Sequence, residues 1–132
     1  MSARDVARLL AAGRVAIGAV LLAAPRLGLG MWIGRDAADG AVAPVGRALG
    51  IREVVLGAIA LHTLDTSQVG ARWLRTLAVC DAVDLAATLA ARRALPAYGR
   101  ALIVAMASAG AAGQVWVARE LAAGQPREDS GD

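Results

Sequence analysis

The stretch that most constrains this chain is RWLRTLAVCDAVDLAATLAARR, Arg72 to Arg93, an apolar run with Asp81 and Asp84 near its centre. At 1.5 Å rise per residue, such a helix is long enough to cross a hydrocarbon layer of roughly 30 Å. Two acids one turn apart share a face of that helix, and lipid is a poor setting for either. They need an enclosed environment with cationic partners. The remaining helices must supply both.

Composition supports an apolar surrounding. Hydrophobic residues make up 58% of the chain and charged residues 19%, against a usual apolar share of roughly 45–50%. Mean hydropathy is +0.54. Aromatics are only 3%, Phe is absent and there are fifteen glycines, so the apolar mass is Leu, Val and Ala. Small residues suit helices whose backbones approach closely in a membrane and would build a thin core in water. The expected fold is all-α, a four-helix transmembrane bundle with short loops. Its length of 132 residues fits one domain, taken as 1–123, with 124–132 a disordered polar tail. A soluble helical bundle, with the charges solvating its outer faces, is the alternative.

The formal charge is +3 and every basic residue is Arg. These arginines are spread over all segments and interleaved with acids, which argues against a nucleic-acid stripe and for contact with lipid headgroups. Cys80 and His62 are each the only residue of their type. No intrachain disulfide or Cys/His zinc site follows from them, and neither a metal nor a cofactor is expected.

The pattern predicts helix one from about Val6 to Ala24, stopped by Pro25, Gly28 and Gly30. Asp5 and Arg14 argue against a cleaved leader. Residues 25–40, with Met31 and Trp32, read as a connection at headgroup level or a short re-entrant piece. Helix two is expected from Val42 or Val45 to His62 or Leu64, with Gly46 and Gly50 as a close-contact pair near its start. Helix three is the Arg72–Arg93 stretch. Helix four runs from Ala97 or Ala101 to Leu121, after Pro96, with Ala105, Ala109, Gly110 and Gly113 as a smooth face. Trp32, Trp73 and Trp116 read as interfacial anchors.

Short loops make sequential helices antiparallel neighbours, and four crossings put both termini on one side. Arg4, Arg8, Arg72, Arg75, Arg119 and Arg127 fall on the terminal side; Arg26, Arg35, Arg47, Arg92, Arg93 and Arg100 fall opposite. The two sides balance, so the positive-inside rule does not orient the protein. A multi-pass protein of the cell inner membrane with cytoplasmic termini is the default expectation.

Aligning the spans by depth brings the charges level. Helix one centres on Arg14, helix two on Glu53, helix three on Asp81, and helix four between Ser108 and Gln114. The expected belt is Arg14, Arg52, Glu53, Asp81 and Asp84, with Arg47 or a protonated acid completing the charge balance. Arg14 bridging to Asp81 or Asp84 would satisfy both, since a guanidinium offers five N–H donors. Asp81, Asp84 and Glu53 are the candidate catalytic acids. Arg14, Arg47, Arg52, Ser108 and Gln114 join them as candidate network or ligand-binding residues.

GRALGIREVVLG (Gly46–Gly57) and CDAVDLAATLAARR (Cys80–Arg93) together resemble small four-helix membrane proteins of high-GC bacteria, a family loosely similar to the DoxX-like proteins. The resemblance covers most of residues 6–122 and rests on Gly46, Arg47, Gly50, Arg52, Glu53, Asp81 and Asp84. It implies a link to quinone or thiol redox systems. This chain departs from dithiol chemistry, because Cys80 has no Cys-x-x-Cys partner. Two functions stay open: an accessory or interaction protein, as a homodimer or part of a larger membrane complex, and an enzyme or binding protein for a lipophilic small molecule.

Overall fold

A computed structural model describes residues 1–65 and 67–124. The expected tail beyond Gly124 lies outside them. Five helices follow in order: α1 (Ala3–Ala23), α2 (Pro25–Ile33), α3 (Val42–Thr63), α4 (Ser67–Ala90) and α5 (Ala97–Ala123), with a 3-10 turn at Gly34–Ala38 after α2. Four are long, and α2 is a nine-residue addition to the four expected.

Local chemistry explains the boundaries. Ser2 caps α1: the Asp5 backbone N–H donates to Ser2 Oγ at 3.2 Å, and the Ser2 N–H donates to Asp5 Oδ2 at 2.9 Å. This reciprocal box accounts for the acid so near the N-terminus. Pro25 breaks α1 but does not end helical structure. It occupies the first position of α2, where its missing N–H costs nothing. Gly28 sits inside α2 because a Cβ there would meet Leu21 Cδ2 at 2.7 Å. The terminator is Gly34, whose φ of 68° is a left-handed value that L side chains rarely adopt. Residues 25–38 therefore form a compact element across one end of the bundle rather than a connection.

The long helices assemble as two close antiparallel pairs, α1 with α3 and α4 with α5. Glycines set the first pair. A Cβ at Gly50 would lie 2.8 Å from the Gly18 carbonyl oxygen, and one at Gly57 would lie 2.7 Å from that of Ala11. The backbones are thus at the closest approach a helix pair allows. The expected neighbours α4 and α5 are in contact as predicted. The α3–α4 contact is much thinner despite its short loop; Trp73 stands in it, donating from Nε1 to the Leu56 carbonyl at 3.5 Å.

Two apolar clusters result. One joins Ala11, Leu64, Leu74, Leu77, Val117 and Leu121; the other joins Leu21, Leu29 and Ala37 under α2. Between them lies a polar layer.

Two helices, α1 and α5, are long and apolar enough to cross a membrane. Only 28% and 22% of the residues in their apolar windows are buried inside the protein, so most of that apolar surface faces outward.

Candidate functional site

Each long helix contributes one side chain to the polar layer. Arg14 comes from α1, Glu53 from α3, Asp81 from α4 and Gln114 from α5, and all four are buried. Arg14 Nη1 donates to Glu53 Oε2 at 2.6 Å. Arg14 Nη2 donates to Asp81 Oδ1. Gln114 Nε2 donates to Asp81 Oδ2 at 2.7 Å. The planar guanidinium thus clamps two carboxylates on different helices, a geometry for which Lys has no equivalent.

Glycines make the room. A Cβ on Gly110 would stand 2.6 Å from Asp81 Oδ2, and one on Gly57 would stand 3.2 Å from Arg14 Cβ. The expected smooth face of α5 is therefore used at Gly110 to seat the Asp81 carboxylate. Gly113 packs against Leu10, while Ala105 and Ala109 are exposed.

The other expected members divide. Arg52 Nη1 lies 3.5 Å from Asp84 Oδ1, a second pair at the margin of the layer with about a third of each side chain exposed. Arg47 is exposed beside Ala43, Pro25 and Arg26 and takes no part in the layer, so it does not complete the charge balance. Ser108 is exposed and also stands outside it. The reason is azimuth. Ser108 is six residues from Gln114, which turns it about 120° around α5 at 100° per residue.

Above the layer, α1 and α5 diverge and leave a cleft of about 640 Å³. Its floor carries Arg14, Glu53, Asp81, Asp84 and Gln114, and its walls carry Leu10, Ile17, Leu102, Ile103, Met106 and Gly110. Leu29, Met31 and Trp32 of α2 close one end. The volume is within the roughly 300–1,000 Å³ of small-molecule sites, and an apolar wall with a few convergent polar groups is their usual make-up.

Trp32 is the residue that sequence reasoning assigned elsewhere. Its indole lines the cleft, and its Nε1–H is buried without a hydrogen-bond partner. Its position follows from α2, whose backbone lies so close to α5 that a Cβ on Gly99 would collide with the Trp32 carbonyl oxygen. Tyr98 Oη ties the same contact by donating to the Gly30 carbonyl at 3.1 Å. A Trp among glycines was the available signal.

Both oxygens of Asp81 already accept hydrogen bonds, which suits it to holding helices together better than to exchanging protons with a ligand. Asp84 is the less enclosed carboxylate on the floor. Comparison of the chain with family models, curated proteins and solved structures returns no match.

Proposed function

We propose that this protein is a membrane-embedded binding protein for a lipophilic small molecule, with the α1–α5 cleft as its site. The observation that carries the reading is the cleft itself: an apolar groove whose floor is made of the same ionisable residues that clamp the four long helices. A purely structural charge layer needs no open volume beside it. Here five polar or charged side chains line the groove, and two polar atoms, on Trp32 and Gln114, are unpaired.

A membrane setting is supported by the outer surface. Leu9, Leu27, Met31, Val79, Val83 and Tyr98 are each more than half exposed. Such a surface suits hydrocarbon and headgroups better than water. In this reading all four long helices cross the inner membrane, with Glu53 of α3 and Asp81 of α4 facing inward as intramembrane ionisable groups do.

The test is to purify the protein in mild detergent and identify retained lipophiles by mass spectrometry, beside Ala109→Trp, whose ring fills the groove from an exposed position. One retained compound class at near-unit stoichiometry, lost in the variant, is expected. A folded wild-type protein that retains nothing and is not stabilised by added lipid would overturn the reading.

A further inference from the structure

The seam between α3 and α4 holds a pair of charges that one chain alone leaves uncovered. Arg52 Nη1 stands 3.5 Å from Asp84 Oδ1, longer than the roughly 2.7–2.9 Å of a charge-assisted hydrogen bond. The two side chains keep 37% and 33% of their surface exposed. Asp84 lines the floor of the cleft, whereas Arg52 lies outside it, so the Arg52 exposure opens on the outer side of the seam.

Depth makes that exposure unfavourable. Arg52 lies near the middle of α3 (Val42–Thr63), about 15 Å from either end. It is also the neighbour of Glu53, a buried member of the polar layer. An arginine reaches the headgroups by extending its side chain only near a helix end. In the proposed membrane setting this guanidinium faces hydrocarbon with one loose partner, an exposure that membrane proteins cover with protein.

The surface around the pair is apolar. Val45, Arg52 and Ile59 recur every seven residues and form one stripe along α3, with Val45 and Ile59 exposed. On α4, Cys80, Val83 and Ala87 recur at i, i+3 and i+7; Val83 and Ala87 are exposed and Cys80 is half-buried. The thin α3–α4 contact leaves both stripes open.

Charge decides the occupant. The face carries one cation and one anion at one level. A two-fold axis along the bundle sets Arg52 of each copy against Asp84 of the other, the same contact twice, as an isologous interface requires. Two loose pairs become one network of four charges shut away from hydrocarbon, with the valines and alanines packed around it. A lipid tail brings no charge to this depth, and its headgroup stays at the surface.

We infer that the α3–α4 face is a dimer interface whose occupant is a second copy of this chain, with Arg52 and Asp84 paired across the two-fold axis. The inference rests on the membrane setting of the reading above and is independent of what fills the cleft. Where dilution takes the dimer apart, each chain keeps its own loose pair.

Full-length protein labelled at the N-terminus is reconstituted in phosphatidylcholine vesicles, and association is followed by energy transfer as added lipid dilutes it. Wild-type protein is expected to dimerise saturably. Arg52→Asp and Asp84→Arg each set like charges across the axis, and each should weaken the dimer by about tenfold or more. The two variants mixed in equal amounts should recover wild-type association, because each supplies the charge the other lacks. Wild-type protein that inserts and stays monomeric, single variants that dimerise as wild type does, or a mixture that does not recover would each overturn the interface. Should either variant not fold, Val83→Trp on this face should weaken the dimer while Ala105→Trp, at an exposed position on α5, leaves it intact. Val83→Trp without effect, or Ala105→Trp with equal effect, would overturn it too. Failure of the wild-type protein to insert would remove the membrane setting and the interface with it.

Discussion

At the scale of single residues, the Arg14 clamp on Glu53 and Asp81 and the marginal Arg52–Asp84 pair differ in what they contribute. Arg14, Glu53 and Asp81 are each less than a tenth exposed, whereas Arg52 and Asp84 are partly solvated. Breaking a buried pair leaves an uncompensated charge, a loss of about 3–5 kcal/mol. Asp81→Leu should fall near about 3, since Arg14 keeps Glu53; equilibrium unfolding in detergent measures it. A double-mutant cycle on Arg52 and Asp84 should give a coupling below about 1 kcal/mol, as partly exposed pairs do. A cycle on Arg14 and Glu53 should exceed that. Much of this was legible: depth alone put Arg14, Glu53 and Asp81 level, and an isolated Arg among Ala, Val and Leu demands a carboxylate. Depth says nothing of direction around a helix axis. Ser108 shares the level of the layer but not its direction, and Trp32, which the sequence suggests as an interfacial anchor, sits on the short helix α2.

At the scale of elements, glycine governs which helices meet. A Cβ on Gly99 would collide with the Trp32 carbonyl, and a backbone atom cannot swing aside as a side chain can. Gly99→Ala should displace α2 and cost about 1–3 kcal/mol, the range of overpacked sites. Gly13 has nothing within 4 Å of a built Cβ and lies mid-helix, so Gly13→Ala should stabilise slightly through helix propensity. Thermal melts of the two variants should move in opposite directions. The long helices were readable from their apolar runs to within a few residues. The short α2 was not, because Pro25, Gly28 and Gly30 are helix breakers when read locally. Proline at a first helical position and glycine under a crossing side chain are compatible with helix, and only the packing distinguishes these uses. Loop length likewise suggested a full α3–α4 contact, while the close approach went to α1 and α3 through Gly18, Gly50 and Gly57.

At the scale of the whole molecule, the outward apolar surface of α1 and α5 is what the proposed membrane setting rests on. The protein should sediment with membranes and resist alkaline extraction, which a peripheral or soluble bundle would not. On the proposal that all four long helices cross, reporters fused at either terminus should give the same sidedness, and opposite results from the two ends would remove a crossing. The layer of charges has a further consequence for biogenesis. Because Arg14, Glu53, Asp81 and Gln114 come one from each long helix, no single helix, and neither close pair, carries the complete set. In the membrane setting proposed above, the charge pairs close once α4 joins α1 and α3, and α5 then supplies the second donor to Asp81. Completion of the layer is thus tied to assembly of all four long helices, and a chain that lacks any of them leaves a member of the layer short of a partner.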